Sequence, residues 1–237
     1  MSQLIVALDF DNVNEALALV EQLNPELCAL KVGNELFTRF GPDFVKQLVS
    51  RQFKVFLDLK FHDIPNTVAK ACQAGADLGV WMMNVHASGG MDMMTAARRA
   101  IEPYGVERPL LIAVTVLTSF EESVLASIGI QTPVITHVKK LAALAKNSGL
   151  DGVVSSAHEV QTIKQECGSQ FITVTPGIRL ANDAKNDQSR IMTPQQAIAA
   201  GSDFLVVGRP ITQSTNPAQV VMDILANLSQ ESSLKNS

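Results

Sequence analysis

Short apolar runs alternate along this chain with longer segments in which apolar residues recur every three or four positions. The apolar runs carry few polar residues on either face, which is typical of parallel strands that are covered on both sides. Eight such runs predict eight strands: LIVALDF (4–10), CALKVG (28–33), KVFLDLK (54–60), WMMNVHA (81–87), LLIAVTVL (110–117), GVVSS (152–156), FITVTPG (171–177) and DFLVVGR (203–209).

The segments between these runs have the period of amphipathic helices. Two apolar stripes show the three- and four-residue steps of one helix face: Val13, Leu17, Val20 and Leu23, and then Ile135, Val138, Leu141 and Leu144. Two helix starts are also marked by capping signals. Asn12 precedes Glu15 by three residues, and Thr193 is followed by Pro194 and, three residues on, by Gln196. Both patterns indicate N-caps of the capping-box type.

Eight strand–helix units in 237 residues predict an α/β fold, a single (β/α)8 TIM barrel. An open, doubly wound sheet is the alternative, but the first strand-to-helix turn, DFDNVN, lacks the GxGxxG fingerprint of that fold. Because no linker divides the chain, we expect one domain over 1–237, with its core at about 4–228 and a frayed polar tail.

Composition narrows the functional classes. Hydrophobic residues make up 46% and charged residues 18%, as in folded chains with a large core. No apolar run approaches the ~20 residues of a membrane span, and a net charge of −4 without a basic stripe argues against nucleic-acid binding. Three scattered cysteines without zinc spacing predict reduced thiols and a cytoplasmic location.

Polar side chains follow the predicted strands at their C-terminal ends, where (β/α)8 barrels carry their active sites. They are Asp9, Lys31, Asp58, Lys60, His86, Thr118 and Arg209. Asp58 and Lys60 are two residues apart, so both side chains leave the same face of a strand. This pair alone could be a salt bridge at the rim of the barrel, Lys31 alone could be a rim lysine, and Asp63 could simply start the next helix.

Taken together, two lysines and two carboxylates at neighbouring strand ends indicate an alternating array of charges. Each opposite-charge contact near 4 Å is worth roughly 4 kcal/mol at an effective dielectric constant of 20. Such contacts keep the lysines protonated, and a protonated lysine can donate a proton to a reacting carbon.

The loops after the last two strands predict a phosphate site, the usual place for one in this fold. In VVGRPIT (206–212), Gly208 allows backbone N–H groups to approach a ligand, and Arg209 supplies a guanidinium fork. TPGIR is followed by the long polar segment LANDAKNDQSRIMT (180–193), which we interpret as a lid with Arg179 at its base and Gln188 inside it. The alternative is a surface loop.

The motif LDLKFHDIPNT, with LDF, KVG, TPGIR and VVGR at other strand ends, resembles the orotidine 5′-phosphate decarboxylase family from about Leu4 to Leu228. The DxKxxD core also occurs in related sugar-phosphate barrels, whereas the extension FHDIPNT together with Lys31 is more specific. The resemblance implies conversion of orotidine 5′-phosphate to UMP, without metal or organic cofactor, in a homodimer with shared active sites.

The resemblance also implies a role for each site residue. Lys31, Asp58 and Lys60 would act in one subunit, with Lys60 protonating C6 of the pyrimidine, while the partner chain would lend Asp63 and Thr67. The remaining contacts would be Asp9 and Lys31 to the ribose, Thr118 to the base, and Arg179, Gln188, Gly208 and Arg209 to the base–phosphate end and the lid.

Three other functions remain open at this point. One is a metal-dependent sugar-phosphate decarboxylase or synthase that shares DxKxxD, and another is an aldolase that forms a Schiff base on Lys60. Flanking carboxylates count against the aldolase, because they favour the charged, non-nucleophilic amine. The third is a sensor that binds a phosphate ligand without turnover.

Overall fold

The computed structural model of the chain describes residues 3–179 and 192–234. Eight parallel strands follow one another around a closed barrel, and the last strand pairs with the first. The closure confirms the predicted (β/α)8 barrel and excludes the open sheet. The strands are β1 (Leu4–Leu8), β2 (Ala29–Gly33), β3 (Val55–Phe61), β4 (Met82–His86), β5 (Leu110–Val114), β6 (Gly152–Val154), β7 (Ile172–Thr175) and β8 (Phe204–Val207).

Helices connect the strands and cover the outside of the barrel. They are α1 (Val13–Val20), α2 (Asn34–Ser50), α3 (Pro65–Asp77), α4 (Gly90–Ala100), α5 (Glu122–Ser127), α6 (Val134–Asn147), α7 (Val160–Cys167), α8 (Pro194–Ala199), α9 (Arg209–Thr212) and α10 (Pro217–Leu234). The capping box of Thr193 and Gln196 is confirmed. Asn12 also caps its helix. Its side chain accepts from the N–H of Asn14, at 2.9 Å, rather than from the N–H of Glu15 that a capping box would use. No helix within 3–179 and 192–234 combines the length and apolar character that a membrane span requires.

The predicted runs overlap all eight strands but continue past several strand ends. The run 110–117 is the clearest case, because β5 ends at Val114. Val116 and Leu117 lie beyond the end of β5 and line a cavity. Their apolar character therefore comes from the cavity and not from membership of the strand.

Alternation of side chains along each strand builds two apolar layers. One layer packs between the strands and the helices. The other fills the barrel interior with Ile5, Ala7, Ala29, Phe56, Met82, Ile112, Val174, Phe204 and Val206. Because side chains alternate, the residues two positions beyond these interior residues also point into the barrel, at its C-terminal end. They include Asp9, Lys31, Asp58 and Asn84.

Two ion pairs, here called the lower ion pairs, lie at the opposite end, where strands begin. Arg108 donates two hydrogen bonds of 2.7 Å to Asp151, which also accepts the backbone N–H of Leu111 at 2.8 Å. Lys164 Nζ lies 2.6 Å from Asp203 Oδ2 and also donates to two backbone carbonyls. These contacts tie neighbouring strands and helices together at the base of the barrel.

Candidate functional site

A cavity of about 870 Å³ opens at the C-terminal ends of the strands. Apolar side chains from the barrel interior, among them Ala7, Phe56 and Val206, line it together with polar residues. The cavity brings together eight of the residues predicted from the sequence: Asp9, Lys31, Asp58, Lys60, Thr118, Arg179, Gly208 and Arg209.

Four of these residues form a charged cluster, which comprises Asp9, Lys31, Asp58 and Lys60. Lys31 Nζ lies 3.4 Å from Asp9 Oδ1 and 3.4 Å from Asp58 Oδ2. Lys60 Nζ lies 2.8 Å from Asp58 Oδ1. The signs of the charges therefore alternate along the cluster. The side chains of Lys31 and Asp58 are only 12% and 13% exposed, so water screens their contact weakly.

Lys60 has an unusual backbone. Its φ of 54° lies in the left-handed region, which residues with a Cβ adopt at a cost of about 1–2 kcal/mol. The pairing of β3 with β4 shifts register between Leu57 and Phe61, so Lys60 sits in a bulge. The site therefore presents its ammonium group from a locally distorted strand, a feature common next to active sites.

Asn84 supports this distortion and was not predicted from the sequence. Its Oδ1 accepts the backbone N–H of Lys60 at 2.8 Å, and its Nδ2 donates to Asp58 Oδ1 at 2.7 Å. The side chain is fully buried in the barrel. The one signal in the sequence is a lone amide inside the apolar run WMMNVHA.

His86, the polar end of β4, lies beside His62 and is not among the described residues that line the cavity. Their ring centroids are 5.5 Å apart, and a Cβ on Gly89 would come within 3.3 Å of the His62 ring. Burial lowers the pKa of His86, the charges of His62 and Lys60 add to that shift, and Asp58 opposes it. Within the part of the chain that the structure describes, no three His, Cys, Asp or Glu side chains are grouped to hold a metal ion.

The loop after β8 forms the opposite wall of the cavity. Gly208 precedes α9, whose first residue is Arg209. A Cβ on Gly208 would lie 3.6 Å from Ala7 and 3.7 Å from Asp9 Oδ2, so any side chain here would occupy space beside β1. The glycine therefore leaves the backbone open to an anion, with the Arg209 guanidinium group at the same wall.

The chain on the two sides of the predicted lid pairs next to Arg179, which lines the cavity. The backbone N–H of Arg179 donates to the carbonyl of Met192 at 3.1 Å, and Ile178 bridges Met192 in parallel register. Arg179 Nη1 also donates to the carbonyl of Ile178. The rest of the predicted lid, with Gln188, lies outside the described residues.

Asp63 and Thr67 are placed differently from the other predicted residues. Both are exposed, and neither is among the described residues that line the cavity. Asp63 Oδ1 accepts the adjacent N–H of Ile64 at 2.6 Å, but Ile64 is the N-cap of α3 and no side chain caps that helix. Asp63 is thus neither the cap of α3 nor part of the cavity of its own chain.

Comparisons with known protein sequences all match this chain to one family. The sequence model of the orotidine 5′-phosphate decarboxylase / HUMPS family matches residues 2–224. The orotidine 5′-phosphate decarboxylase of Legionella pneumophila (strain Corby) is 68% identical over 226 residues, which cover 95% of this chain and 99% of that protein. The protein of the same name from Vibrio cholerae (strain ATCC 39541) is 61% identical, with 95% and 98% covered.

Solved structures agree with the sequence comparisons. The crystal structure of orotidine 5′-phosphate decarboxylase from Lactobacillus acidophilus matches this chain with a TM-score of 0.85 at 38% identity, and the match covers 96% of this chain and 99% of that one. An uncharacterised conserved protein from Geobacillus kaustophilus matches with a TM-score of 0.83 at 40% identity, covering 95% and 99%.

Proposed function

We propose that the charged cluster supplies the chemistry of this chain, which belongs to the orotidine 5′-phosphate decarboxylase family. The enzyme converts orotidine 5′-phosphate to UMP, the last step of pyrimidine nucleotide synthesis. The observation that carries this proposal is the pair of Lys60 and Asp58, 2.8 Å apart at the wall of the cavity. Lys60 is 27% exposed, so its ammonium group is accessible to a bound ligand.

In the proposed step, the bond between C6 of the pyrimidine and its carboxylate breaks, and the electron pair stays on C6. Lys60 Nζ gives its proton to C6, carbon dioxide leaves, and the neutral amine regains a proton from water. With no cofactor to accept the electron pair, the site has to stabilise the transition state by on the order of 20 kcal/mol. A cation fixed beside C6 before the reaction begins is the most direct way to do so.

The rest of the substrate fits the remaining walls of the cavity. We assign the ribose to Asp9 and Lys31, the base to Thr118, and the phosphate to Gly208 and Arg209. These residues lie at or just beyond the C-terminal ends of β1, β2, β5 and β8, around a single cavity. The phosphate is remote from C6, so its binding energy is available to order the site, with Arg179 and Gln188 at the lid.

Asp63 and Thr67 serve the site of a second chain in this proposal, which makes the enzyme a homodimer. Three observations support it: both residues lie outside the cavity of their own chain, Asp63 does not cap α3, and apolar side chains are exposed nearby. Ile64 is 66% exposed and Met91 is 45% exposed, on the adjoining segments that follow β3 and β4. Burying them against a second chain would remove apolar surface from water.

The experiment for the chemistry is direct. Purified protein treated with EDTA is mixed with orotidine 5′-phosphate, and the loss of its absorbance and the formation of UMP are followed. We expect full turnover after EDTA treatment. Activity lost with EDTA and regained with a divalent cation would favour the metal-dependent sugar-phosphate enzyme, and binding of UMP without turnover would favour the sensor.

The experiment for the shared site mixes two inactive variants, Lys60→Ala and Asp63→Ala. In a mixed dimer one site carries both lesions, and the other combines an intact Lys60 with an intact Asp63. At statistical exchange half of the dimers are mixed, so activity should rise to roughly a quarter of the wild-type value per site in a symmetric dimer. If exchange is demonstrated and activity stays at the level of the parents, the two residues act within one chain.

We also propose that the enzyme works in the cytoplasm. All three cysteines are buried as free thiols, and burial raises the pKa of Cys28 and Cys72 to about 12. Free thiols are the usual state in a reducing compartment. Cell fractionation with detection of the native protein tests this location.

A further inference from the structure

We propose that Asn84 is a positioning residue for the decarboxylation, because it holds both Asp58 and Lys60 in their reactive arrangement. The inference rests on the proposed function of the charged cluster and adds a residue that does not itself touch the substrate. Asn84 is not among the described residues that line the cavity. It lies behind them, fully buried, two positions after the interior residue Met82 of the same strand.

One hydrogen bond of Asn84 fixes the backbone from which the Lys60 side chain departs. In the ladder between β3 and β4, Leu57 is opposite Met83 and Phe61 is opposite Val85, so four steps along β3 match two along β4. The amide oxygen of Asn84 takes the Lys60 N–H that this bulge removes from the ladder. That bond supports the left-handed φ of Lys60, because a partly buried N–H without an acceptor would add to the cost of this backbone conformation.

The other hydrogen bond of Asn84 orients the Asp58 carboxylate. Asp58 Oδ1 accepts from both Asn84 Nδ2, at 2.7 Å, and Lys60 Nζ, at 2.8 Å, while Oδ2 faces Lys31. Of the three side chains around this carboxylate, Asn84, Lys60 and Lys31, only Asn84 is uncharged. It therefore continues to stabilise the carboxylate after Lys60 has passed its proton to carbon and become neutral, and it keeps Asp58 aimed at Lys60 Nζ throughout the step.

The surroundings of position 84 make a conservative variant informative. From β3 it faces the charges of Asp58 and Lys60, and its neighbour in β5 is the apolar Ile112. His86, whose pKa is lowered by burial, lies two residues farther along β4. Asn84→Asp retains the shape of the side chain and the acceptor for the Lys60 N–H. It replaces the amide donor by a carboxyl group, which can donate to Asp58 only while it is protonated.

The test measures kcat and KM for orotidine 5′-phosphate from pH 6 to pH 8.5 in Asn84→Asp and in wild type. At pH 8 we expect kcat to fall roughly 30-fold or more, equivalent to about 2 kcal/mol in the barrier. KM should change less than about threefold, because the phosphate contacts are remote from Asn84. The ratio of variant to wild-type kcat should recover as pH falls, since two adjacent carboxyl groups share a proton at a raised pKa.

Thr173→Val is the matched control. Thr173 is equally buried, in β7, and its hydroxyl group donates to Asp203 at the base of the barrel. It should lose stability to unfolding and retain kcat, and the affinity for UMP shows that each variant is folded. A kcat in Asn84→Asp equal to wild type, or a loss that is independent of pH and matches the loss of stability, overturns the inference. If wild type itself does not decarboxylate orotidine 5′-phosphate, the proposed function fails and the inference fails with it.

Discussion

Ion pairs lie at both ends of this barrel, and they differ in how many of their N–H donors already have a partner in the protein. At the lower ion pairs, Lys164 Nζ donates to one carboxylate and two carbonyls, and Arg108 holds Asp151 with two parallel bonds. In the charged cluster, Lys31 lies 3.4 Å from each of two carboxylates, and Lys60 Nζ contacts one carboxylate among the described residues.

This difference indicates that charged residues stabilise the fold at the lower ion pairs and are available for catalysis in the charged cluster. A lysine whose donors are all taken by the protein stabilises the fold and has no proton to offer a ligand. A lysine that is held by one carboxylate and faces a cavity keeps its other N–H donors accessible to a ligand. The charged cluster should therefore determine activity, and the lower ion pairs should determine stability.

The largest effect should come from Lys60→Ala. We expect kcat to fall by roughly 10⁴-fold or more, since in the proposed mechanism the change removes both the proton donor and the cation beside C6. The affinity for UMP and the free energy of unfolding should change little. A variant that retains more than a tenth of the wild-type kcat would remove Lys60 from the mechanism.

Arg209→Ala should act from a distance on the same chemistry. The loss of a guanidinium fork on the phosphate should lower kcat/KM by about 10³-fold, the equivalent of two charge-assisted hydrogen bonds. Arg51→Ala, which removes a surface arginine paired with Glu21, is the matched control and should leave kcat/KM unchanged. In wild type, phosphite dianion should partly activate a substrate that lacks the phosphate. The absence of any response to phosphite would contradict the assigned phosphate site.

Lys164→Met tests whether the lower ion pairs determine stability rather than activity. It removes the ammonium group that donates to Asp203 and to two carbonyls, although Thr173 still donates to Asp203, so the free energy of unfolding should fall by about 2 kcal/mol. Turnover at a temperature where the variant is fully folded should equal that of wild type. Chemical denaturation and steady-state kinetics on one preparation measure both quantities. A drop in kcat without a drop in the free energy of unfolding would show that Lys164 contributes to activity rather than to stability.

The smallest effect concerns His86, beside the charged cluster but outside its chemistry. Its pKa is lowered in the folded state from the ordinary value of 6.5, so below that pH the unfolded chain binds a proton that the folded chain does not. Stability should therefore fall as pH drops through 6.5 toward the folded pKa. His86→Gln should make this decline shallower, by about 1.4 kcal/mol per pKa unit of difference.

His137 will leave part of the slope in place, because burial also lowers its pKa. Denaturant unfolding of wild type and His86→Gln at several pH values between 5 and 7.5 measures the difference. Equal slopes in the two proteins would show that His86 does not contribute to the acid sensitivity.

Much of this architecture could be predicted from the sequence, because strand alternation is a local property. The eight apolar runs place Asp9, Lys31 and Asp58 at strand ends, and closing the barrel brings those ends around one cavity. The pairing of charges follows from that convergence. The exact strand ends were less predictable, since apolar residues such as Val116 line the cavity beyond the ladder.

The support behind the cluster could not be predicted in the same way. KVFLDLK has the pattern of a regular strand, but the backbone of Lys60 is left-handed and its N–H donates to an amide 24 residues away. Asn84 itself looks like an isolated polar residue in a buried run. Both features depend on contacts between strands, which the local pattern does not specify. The assignment of Asp63 to a partner chain came from the family resemblance, not from residue spacing.

If an ammonium group at position 60 performs the chemistry, removing that group and putting it back by chemical modification should abolish and then restore turnover. Lys60→Cys should be inactive, and aminoethylation of the new thiol should place an ammonium group at nearly the original position. The native cysteines are buried, and burial raises the pKa of all three, so the new thiol should react selectively. Mass spectrometry verifies the single modification, and a neutral hydroxyethyl reagent provides the control. We predict that aminoethylation restores a large part of kcat and hydroxyethylation none. Substantial activity in unmodified Lys60→Cys, or equal activity after both reagents, would contradict the account.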